Sequence, residues 1–148
     1  MKRKKRIKSI VLSGLFLLPF LTHLILPIRV IVTKPFSYLG ILFMFAGITI
    51  TVKSARMFKT FGNHFDLNSQ SESLMTSGIF SVSRNPMYLG VLFWLIGLAF
   101  LLGSLISFLY PAIFFVLAHF MIRYEEAKLF GIYGEDFVNY KRKVRRWL

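Results

Sequence analysis

The longest uncharged stretch of the chain constrains its fold more than any other feature of the sequence. Residues 87–122 contain no aspartate, glutamate, lysine or arginine. A single helix of this length would extend for about 54 Å, at about 1.5 Å per residue. Because the hydrocarbon core of a bilayer is only about 30 Å thick, the stretch is predicted to fold back on itself. The sequence GSLIS at 103–107 is the best place for the turn.

The predicted hairpin has helical arms at 87–102 and 105–122, and two other apolar runs precede it at about 10–26 and 36–52. A secretory signal peptide is the alternative for the first run, but no small-residue cleavage site follows it. The chain is 55% hydrophobic and carries a net charge of +13, a combination typical of a membrane protein with charged ends. We therefore predict an all-α integral membrane protein with about four transmembrane helices.

The distribution of positive charge predicts the orientation. With four spans, the basic residues at 2–8, 53–84 and 123–146 share one side, and only Arg29 and Lys34 lie on the other. The positive-inside rule then places both termini in the cytoplasm. A three-span arrangement would leave the C-terminal basic cluster outside. The expected location is the inner membrane of a bacterium.

The chain is predicted to form one membrane-embedded domain. Residues 1–52 supply two helices, 53–86 a cytoplasmic loop, and 87–148 the hairpin and a C-terminal segment. The absence of cysteine excludes disulfides and thiolate ligands, and the three histidines lie far apart, so we predict no metal site. Positive charge stands at the edges of apolar runs, which argues against a nucleic-acid partner.

The last segment, GEDFVNYKRKVRRWL, is predicted to form a basic helix on the membrane surface. Phe137, Tyr140, Val144 and Trp147 recur at helical spacing, with basic residues around them. Such a helix can lie among anionic lipid headgroups. A solvated basic tail is the alternative interpretation.

Polar groups stand at both ends of the predicted hairpin. The sequence RNPMYLG occupies 84–90, and Glu125 and Glu126 follow the second arm. Because a hairpin brings its ends together, we expect a guanidinium and a carboxylate to meet at the cytoplasmic interface. Adjacent helical residues point about 100° apart, so only one glutamate is expected to face a pocket. The other is expected to pair along its helix, with Arg123 or Lys128.

Ordinary structural roles for the same residues remain open. Arg84 and the glutamates can be interfacial charges that snorkel or form salt bridges. Pro86 can be a first-turn proline with Asn85 as the helix cap. Gly90 can serve helix packing.

Three motifs in order resemble the isoprenylcysteine carboxyl methyltransferase family and, within the same superfamily, the phospholipid N-methyltransferases. The signature R-[H/N]-P-x-Y-x-G corresponds to 84–90, E-E-x-x-L to 125–129, and G-E-x-[Y/F]-x-x-Y to 134–140. The resemblance covers roughly residues 74–147. It implies a membrane methyltransferase that binds S-adenosylmethionine without a Rossmann fold and acts on a lipophilic or membrane-anchored substrate.

The resemblance also implies which residues form the site. The cofactor pocket would be lined by Arg84, Asn85, Pro86, Tyr88, Gly90, Glu125 and Glu126. From side-chain chemistry and not from the resemblance, we expect Arg123 and Glu125 to be the catalytic residues that orient the acceptor, and Arg84 to suit the methionyl carboxylate. The sequence departs from the family at Asn85, where many members have histidine, and at VRRW, which replaces VPRF.

Other functions are kept as alternatives. A phospholipid amine must lose a proton before it attacks, so it needs a base. His64 is the only nearby histidine candidate, and we favour an ordinary loop position for it. A non-catalytic membrane scaffold would bind no cofactor, and a membrane reductase would bind NADPH.

Overall fold

The computed structural model describes residues 14, 17–25, 31–60 and 74–148, and these ranges contain helices and turns but no β-strand. Residues 17–25 form a helical stretch, α1. The other helices are α2 (Leu39–Thr60), α3 (Pro86–Leu102), α4 (Leu109–Tyr133) and α5 (Glu135–Lys143). The predicted all-α class is confirmed.

The turn between α3 and α4 lies where the sequence predicts it. Gly103 follows α3 with a φ of 65°, a left-handed conformation that favours glycine. A short 3-10 turn, Leu105–Phe108, then leads into α4. The second arm is longer than predicted, because α4 continues past 122 to Tyr133. Its added residues include Arg, Glu, Ala, Lys and Leu, which are strong helix formers.

Helix α2 is also longer than the predicted second span. It ends at Thr60, so residues 53–60, which were assigned to the cytoplasmic loop, are helical. The remainder of the predicted loop up to 73, including His64, lies outside the described residues, as do residues 10–13, 15–16 and 26 of the first apolar run.

Among the described residues, two helical segments are long and apolar enough to cross a membrane. They are Phe36–Thr60 and Leu105–Tyr133, and only 17% and 28% of their most apolar windows are buried. Pro86–Leu102 is apolar but shorter. The core helix of a soluble protein is mostly buried, so the exposed apolar surface of these two helices fits a lipid environment.

The described chain divides into two compact units. The first contains the described residues up to Phe45 together with Leu92–Val116. In it α2 and α3 approach closely at Gly40 and Gly97, where a β-carbon on Gly97 would lie 2.6 Å from the backbone nitrogen of Met44. Phe43 and Phe100 stack beside this contact, with ring centroids 5.9 Å apart.

The second unit contains Ala46–Val91 and Leu117–Leu148, and α5 packs within it. Phe137, Tyr140 and Val144 are buried, and Leu74, Leu129 and Tyr133 pack against them. The Tyr140 hydroxyl donates a hydrogen bond of 2.6 Å to the Phe80 carbonyl oxygen. The apolar face of α5 is therefore covered by the protein itself and is not the lipid-facing surface that the sequence pattern suggested. Lys141, Arg142, Lys143 and Arg145 remain exposed.

Candidate active site

The two ends of the hairpin meet through two separate polar contacts in the second unit. Tyr88, in the first turn of α3, donates a hydrogen bond of 2.8 Å to Glu125 Oε1 on α4. Arg84 Nη1 lies 3.2 Å from Glu126 Oε1. Both glutamates therefore reach across the hairpin, whereas the sequence predicted that only one would do so.

Glu126 has a second cationic partner, Arg146, near the C-terminus. Arg146 Nη2 donates to Glu126 Oε2 at 2.7 Å, and its Nε donates to Oε1 at 3.2 Å. Two parallel bonds of this kind form a bidentate pair, the strongest geometry for a guanidinium and a carboxylate. Glu126 is buried on α4, and its two ion pairs connect that helix to the loop before α3 and to the C-terminal segment.

The residues around Arg146 also bind the loop that carries Arg84. We call residues 144–148 the C-terminal strap. The Arg84 N–H donates to the Arg145 carbonyl oxygen at 3.0 Å. The carbonyl oxygen of Arg146 accepts hydrogen bonds from the Asn85 amide at 3.2 Å and from the Ser83 hydroxyl at 3.4 Å. Buried Val144 anchors the strap beside Tyr140.

Arg84 is the most unusual group in this arrangement. Its side chain is only 7% exposed, yet its Nε and Nη1 have no hydrogen-bond partner among the described residues. The Nη1 contact with Glu126 is close enough for an ion pair but is not aligned as a hydrogen bond. Burial lowers the pKa of Arg84, the Glu126 carboxylate raises it, and the Arg146 cation lowers it.

Arg84, Arg146 and Glu126 form an ion-paired group that we call the Arg84 cluster, and its positive and negative charges are not balanced. Arg84 and Arg146 supply two positive charges against the single negative charge of Glu126. Buried N–H donors without acceptors are costly, and a buried cation without full compensation is costly as well. An anionic ligand at Arg84 would relieve both conditions.

The residues beside Arg84 have different tasks. The Asn85 carbonyl oxygen accepts the first helical hydrogen bond of α3, from the Leu89 N–H at 3.1 Å. Asn85 is thus the N-cap residue by position, and Pro86 occupies the first helical position, where it sacrifices no hydrogen bond. The amide nitrogen of the Asn85 side chain donates to the strap. These two residues set the geometry of the loop.

Gly90 lies in a helix contact and not at an open cavity. A β-carbon there would meet Thr51 Oγ1 and would lie 2.7 Å from the Gly47 carbonyl oxygen of α2. The packing interpretation of Gly90 therefore explains the residue, and its predicted place in the cofactor pocket is not supported by this contact.

The predicted pairing along α4, of Glu126 with Arg123 or of Glu125 with Lys128, finds no support in the contacts of the described residues. Arg123 is exposed, and no ion pair in the described part of the chain joins it to either glutamate. Lys128 lies over the ring of Tyr124, at 4.6 Å from the centroid. No ion pair with Glu126 supports the catalytic role of Arg123, which stays a prediction.

A cleft opens beside α5 in the same unit. Its volume is about 600 Å³. Polar residues at its walls include Thr76, Ser81, Asp136, Asn139 and Lys143. Tyr140 and Val144 also line the cleft, and Val144 is the residue that anchors the strap.

The protein-family model described as Phospholipid methyltransferase matches residues 36–136. The chain belongs to this family. The match includes α2, the hairpin and both glutamates, and it confirms the resemblance drawn from the three motifs.

Individual relatives share parts of the chain. A Protein-S-isoprenylcysteine O-methyltransferase of Saccharomyces cerevisiae is 32% identical over 117 residues, which cover 76% of this chain and 48% of that protein. Its namesake from Schizosaccharomyces pombe is 33% identical over 72 residues, covering 48% of this chain and 30% of that protein. An uncharacterized protein of Haemophilus influenzae is 40% identical over 63 residues, which span its whole length. The chain thus spans a third to a half of the methyltransferases it matches.

Arg146 is the residue that sequence reasoning missed. It lies 20 positions from Glu126 and was counted with the basic residues of the C-terminal segment. A signal was present, since VRRW stands where the related family has VPRF, which places Arg146 at the family's arginine. Composition alone gave no reason to separate it from its neighbours.

Proposed function

We propose that this protein is an integral membrane methyltransferase that uses S-adenosylmethionine and acts on a lipophilic or lipid-modified acceptor. One observation carries the proposal: buried Arg84 presents N–H donors without acceptors, in a cluster with an excess of positive charge. The methionyl carboxylate of S-adenosylmethionine is an anion that a guanidinium binds well. The residues present therefore fit this cofactor.

The chain's own residues would bind the cofactor and orient it towards the acceptor. S-Adenosylmethionine supplies an electrophilic methyl group when it is bound. Arg84 would hold the carboxylate end, and Glu125 would offer an acceptor to the ribose hydroxyls or the amino group, held in place by Tyr88. The site's main contribution is then alignment of the acceptor with the methyl carbon, which is catalysis by positioning.

The acceptor is proposed from the relatives. Several carry the name Protein-S-isoprenylcysteine O-methyltransferase, and a carboxylate acceptor of that type needs no base. The family description names phospholipids, whose amines would need one. We favour a carboxylate on a lipophilic molecule, because no hydrogen bond or ion pair in the described part of the chain joins a histidine to Arg84, Arg146 or Glu126.

The proposed topology is that predicted from the charges: four spans, with both termini in the cytoplasm of a bacterial cell. The exposed basic residues of α5 and the strap would then face anionic lipid headgroups. Arg84 and the glutamates would lie at the cytoplasmic surface, where a soluble cofactor and a membrane-borne acceptor can both arrive.

The test is binding of S-adenosylmethionine to the purified, detergent-solubilised chain. We expect Arg84→Gln to weaken binding by at least about tenfold, the size of a lost charge-assisted pair. Arg142→Gln removes an exposed positive charge from α5 and should leave binding unchanged. Equal binding by wild type and Arg84→Gln would contradict the proposal, and binding of NADPH in place of S-adenosylmethionine would favour a reductase.

A second measurement identifies the acceptor. The wild-type chain is incubated with methyl-labelled S-adenosylmethionine and total bacterial membranes, and the label is followed into lipid and protein fractions. Base-labile label indicates a methyl ester on a carboxylate, whereas base-stable label in the phospholipid fraction indicates an amine acceptor.

A further inference from the structure

We infer that Arg146 is a positioning residue that keeps Glu126 from occupying Arg84 and so leaves Arg84 open for the carboxylate of a ligand. The inference rests on the proposed function, and it assigns a role to the C-terminal strap. Arg146 would not touch the ligand. It would act through Glu126.

The first step is the geometry of the shared carboxylate. Arg146 holds both oxygens of Glu126 in a bidentate pair, with donor distances of 2.7 and 3.2 Å. Arg84 reaches only Oε1, at 3.2 Å and without hydrogen-bond alignment. Glu126 is thus satisfied by Arg146 and gives Arg84 charge compensation without using its N–H donors.

The second step is what the strap adds. The carbonyl oxygens of Arg145 and Arg146 bind the backbone of Arg84 and the side chain of Asn85. Arg146 is therefore fixed relative to the loop that carries Arg84. The strap thus places the Arg146 guanidinium on Glu126 and also holds the backbone of Arg84 beside it.

The third step is competition. Without the Arg146 fork, nothing in the cluster holds both Glu126 oxygens, and the carboxylate can turn to form the bidentate pair with Arg84 itself. An internal carboxylate is always present at the site, so it competes strongly with one brought by a ligand. Loss of Arg146 would therefore let Glu126 occupy the N–H donors of Arg84, in addition to loosening the strap.

The experiment measures dissociation constants for S-adenosylmethionine and for its decarboxylated form, which lacks the group that Arg84 would bind. We expect Arg146→Gln to weaken S-adenosylmethionine about tenfold and to leave the decarboxylated form nearly unchanged. Arg142→Gln is the matched control, since it removes one exposed positive charge from the same part of the chain. Equal weakening of both ligands would mean a merely structural role and overturns the inference.

A double variant tests the competition directly. Adding Glu126→Gln to Arg146→Gln removes the internal competitor, so binding of S-adenosylmethionine should return most of the way to the wild-type value. If the double variant binds as weakly as Arg146→Gln, or more weakly, the competition does not occur. Arg146→Lys, which keeps the charge but not the fork, should fall between wild type and Arg146→Gln and provides a variant with a milder effect on folding.

The two proposals fail in different ways. A wild-type chain that binds no S-adenosylmethionine ends the proposed function and takes this inference with it. A wild-type chain that binds S-adenosylmethionine through Arg84, while Arg146→Gln binds it equally well, overturns only the role of Arg146.

Discussion

At the scale of single residues, Tyr88 is the clearest link between the two arms of the hairpin. Its hydroxyl donates to Glu125 Oε1 at 2.8 Å, and a hydrogen bond to a charged group contributes about 1.5–3 kcal/mol. We expect Tyr88→Phe to lower the affinity for S-adenosylmethionine about tenfold, because Glu125 loses the group that orients it. The phenylalanine ring fills the same space, so the melting temperature should change little by comparison.

Tyr124→Phe is the matched control for Tyr88→Phe. Tyr124 is on α4 next to Glu125, the residue is 62% exposed, and Lys128 lies over its ring. The ring contact survives the loss of the hydroxyl. Affinity and melting temperature should both match the wild type, and an equal loss of affinity in the two variants would remove the case for the Tyr88–Glu125 contact.

At the scale of elements, the contact between α2 and α3 depends on a residue without a side chain at Gly90. A β-carbon there would lie 2.7 Å from one α2 backbone oxygen and 2.9 Å from the Thr51 backbone nitrogen, so the helices would have to separate. We expect Gly90→Ala to destabilise the protein by about 1–3 kcal/mol, measured by thermal unfolding in detergent. Gly131→Ala is the control, since a β-carbon at Gly131 meets nothing within 4 Å. Alanine there should be neutral or stabilising by up to about 1 kcal/mol.

The docking of α5 gives a pH-dependent prediction at the same scale. Burial raises the pKa of Tyr140 from 10.0 to about 12, although the nearby Arg84 cation lowers it. The folded state therefore holds this proton more tightly, so its stabilising effect is complete below pH 10 and is lost as the pH rises towards 12. We expect Tyr140→Phe to reduce stability by about 1–2 kcal/mol at neutral pH, because the Phe80 carbonyl loses its donor. Its melting temperature should fall less steeply than the wild type's between pH 10 and 12, and parallel curves would contradict the assignment.

At the scale of the whole molecule, the proposed topology can be tested because the chain contains no cysteine. Single cysteines introduced as Thr33→Cys and Leu148→Cys would lie at exposed positions on opposite predicted sides. In intact bacterial spheroplasts, a membrane-impermeant maleimide should label Thr33→Cys, and it should reach Leu148→Cys only after the membrane is opened. Labelling of both positions in intact spheroplasts would contradict a cytoplasmic C-terminus.

Part of this architecture was predictable because it depends on local pattern. The uncharged run at 87–122 is too long for one span, and Gly103 lies where the reversal must occur, so the hairpin follows from length, hydropathy and turn chemistry. The same reasoning brings Arg84 near the glutamates, since a hairpin of two similar arms closes at both ends. Helix ends were predicted less well. Charged residues after 52 were interpreted as loop, and the second arm was predicted to end at 122, although Lys, Arg and Glu continue a helix readily.

The sequence by itself determined the all-helical class, the hairpin and the meeting of a guanidinium with a carboxylate. These follow from hydropathy and helical geometry, which act between near neighbours along the chain. Only the tertiary structure decided that Arg146 shares Glu126 with Arg84, that Gly90 packs against α2, and that α5 buries its apolar face in the protein. The physical reason is that an apolar face suits lipid and protein equally well, and a carboxylate suits any nearby cation. The choice among such partners is made by which groups the folded chain brings within a few ångströms of each other.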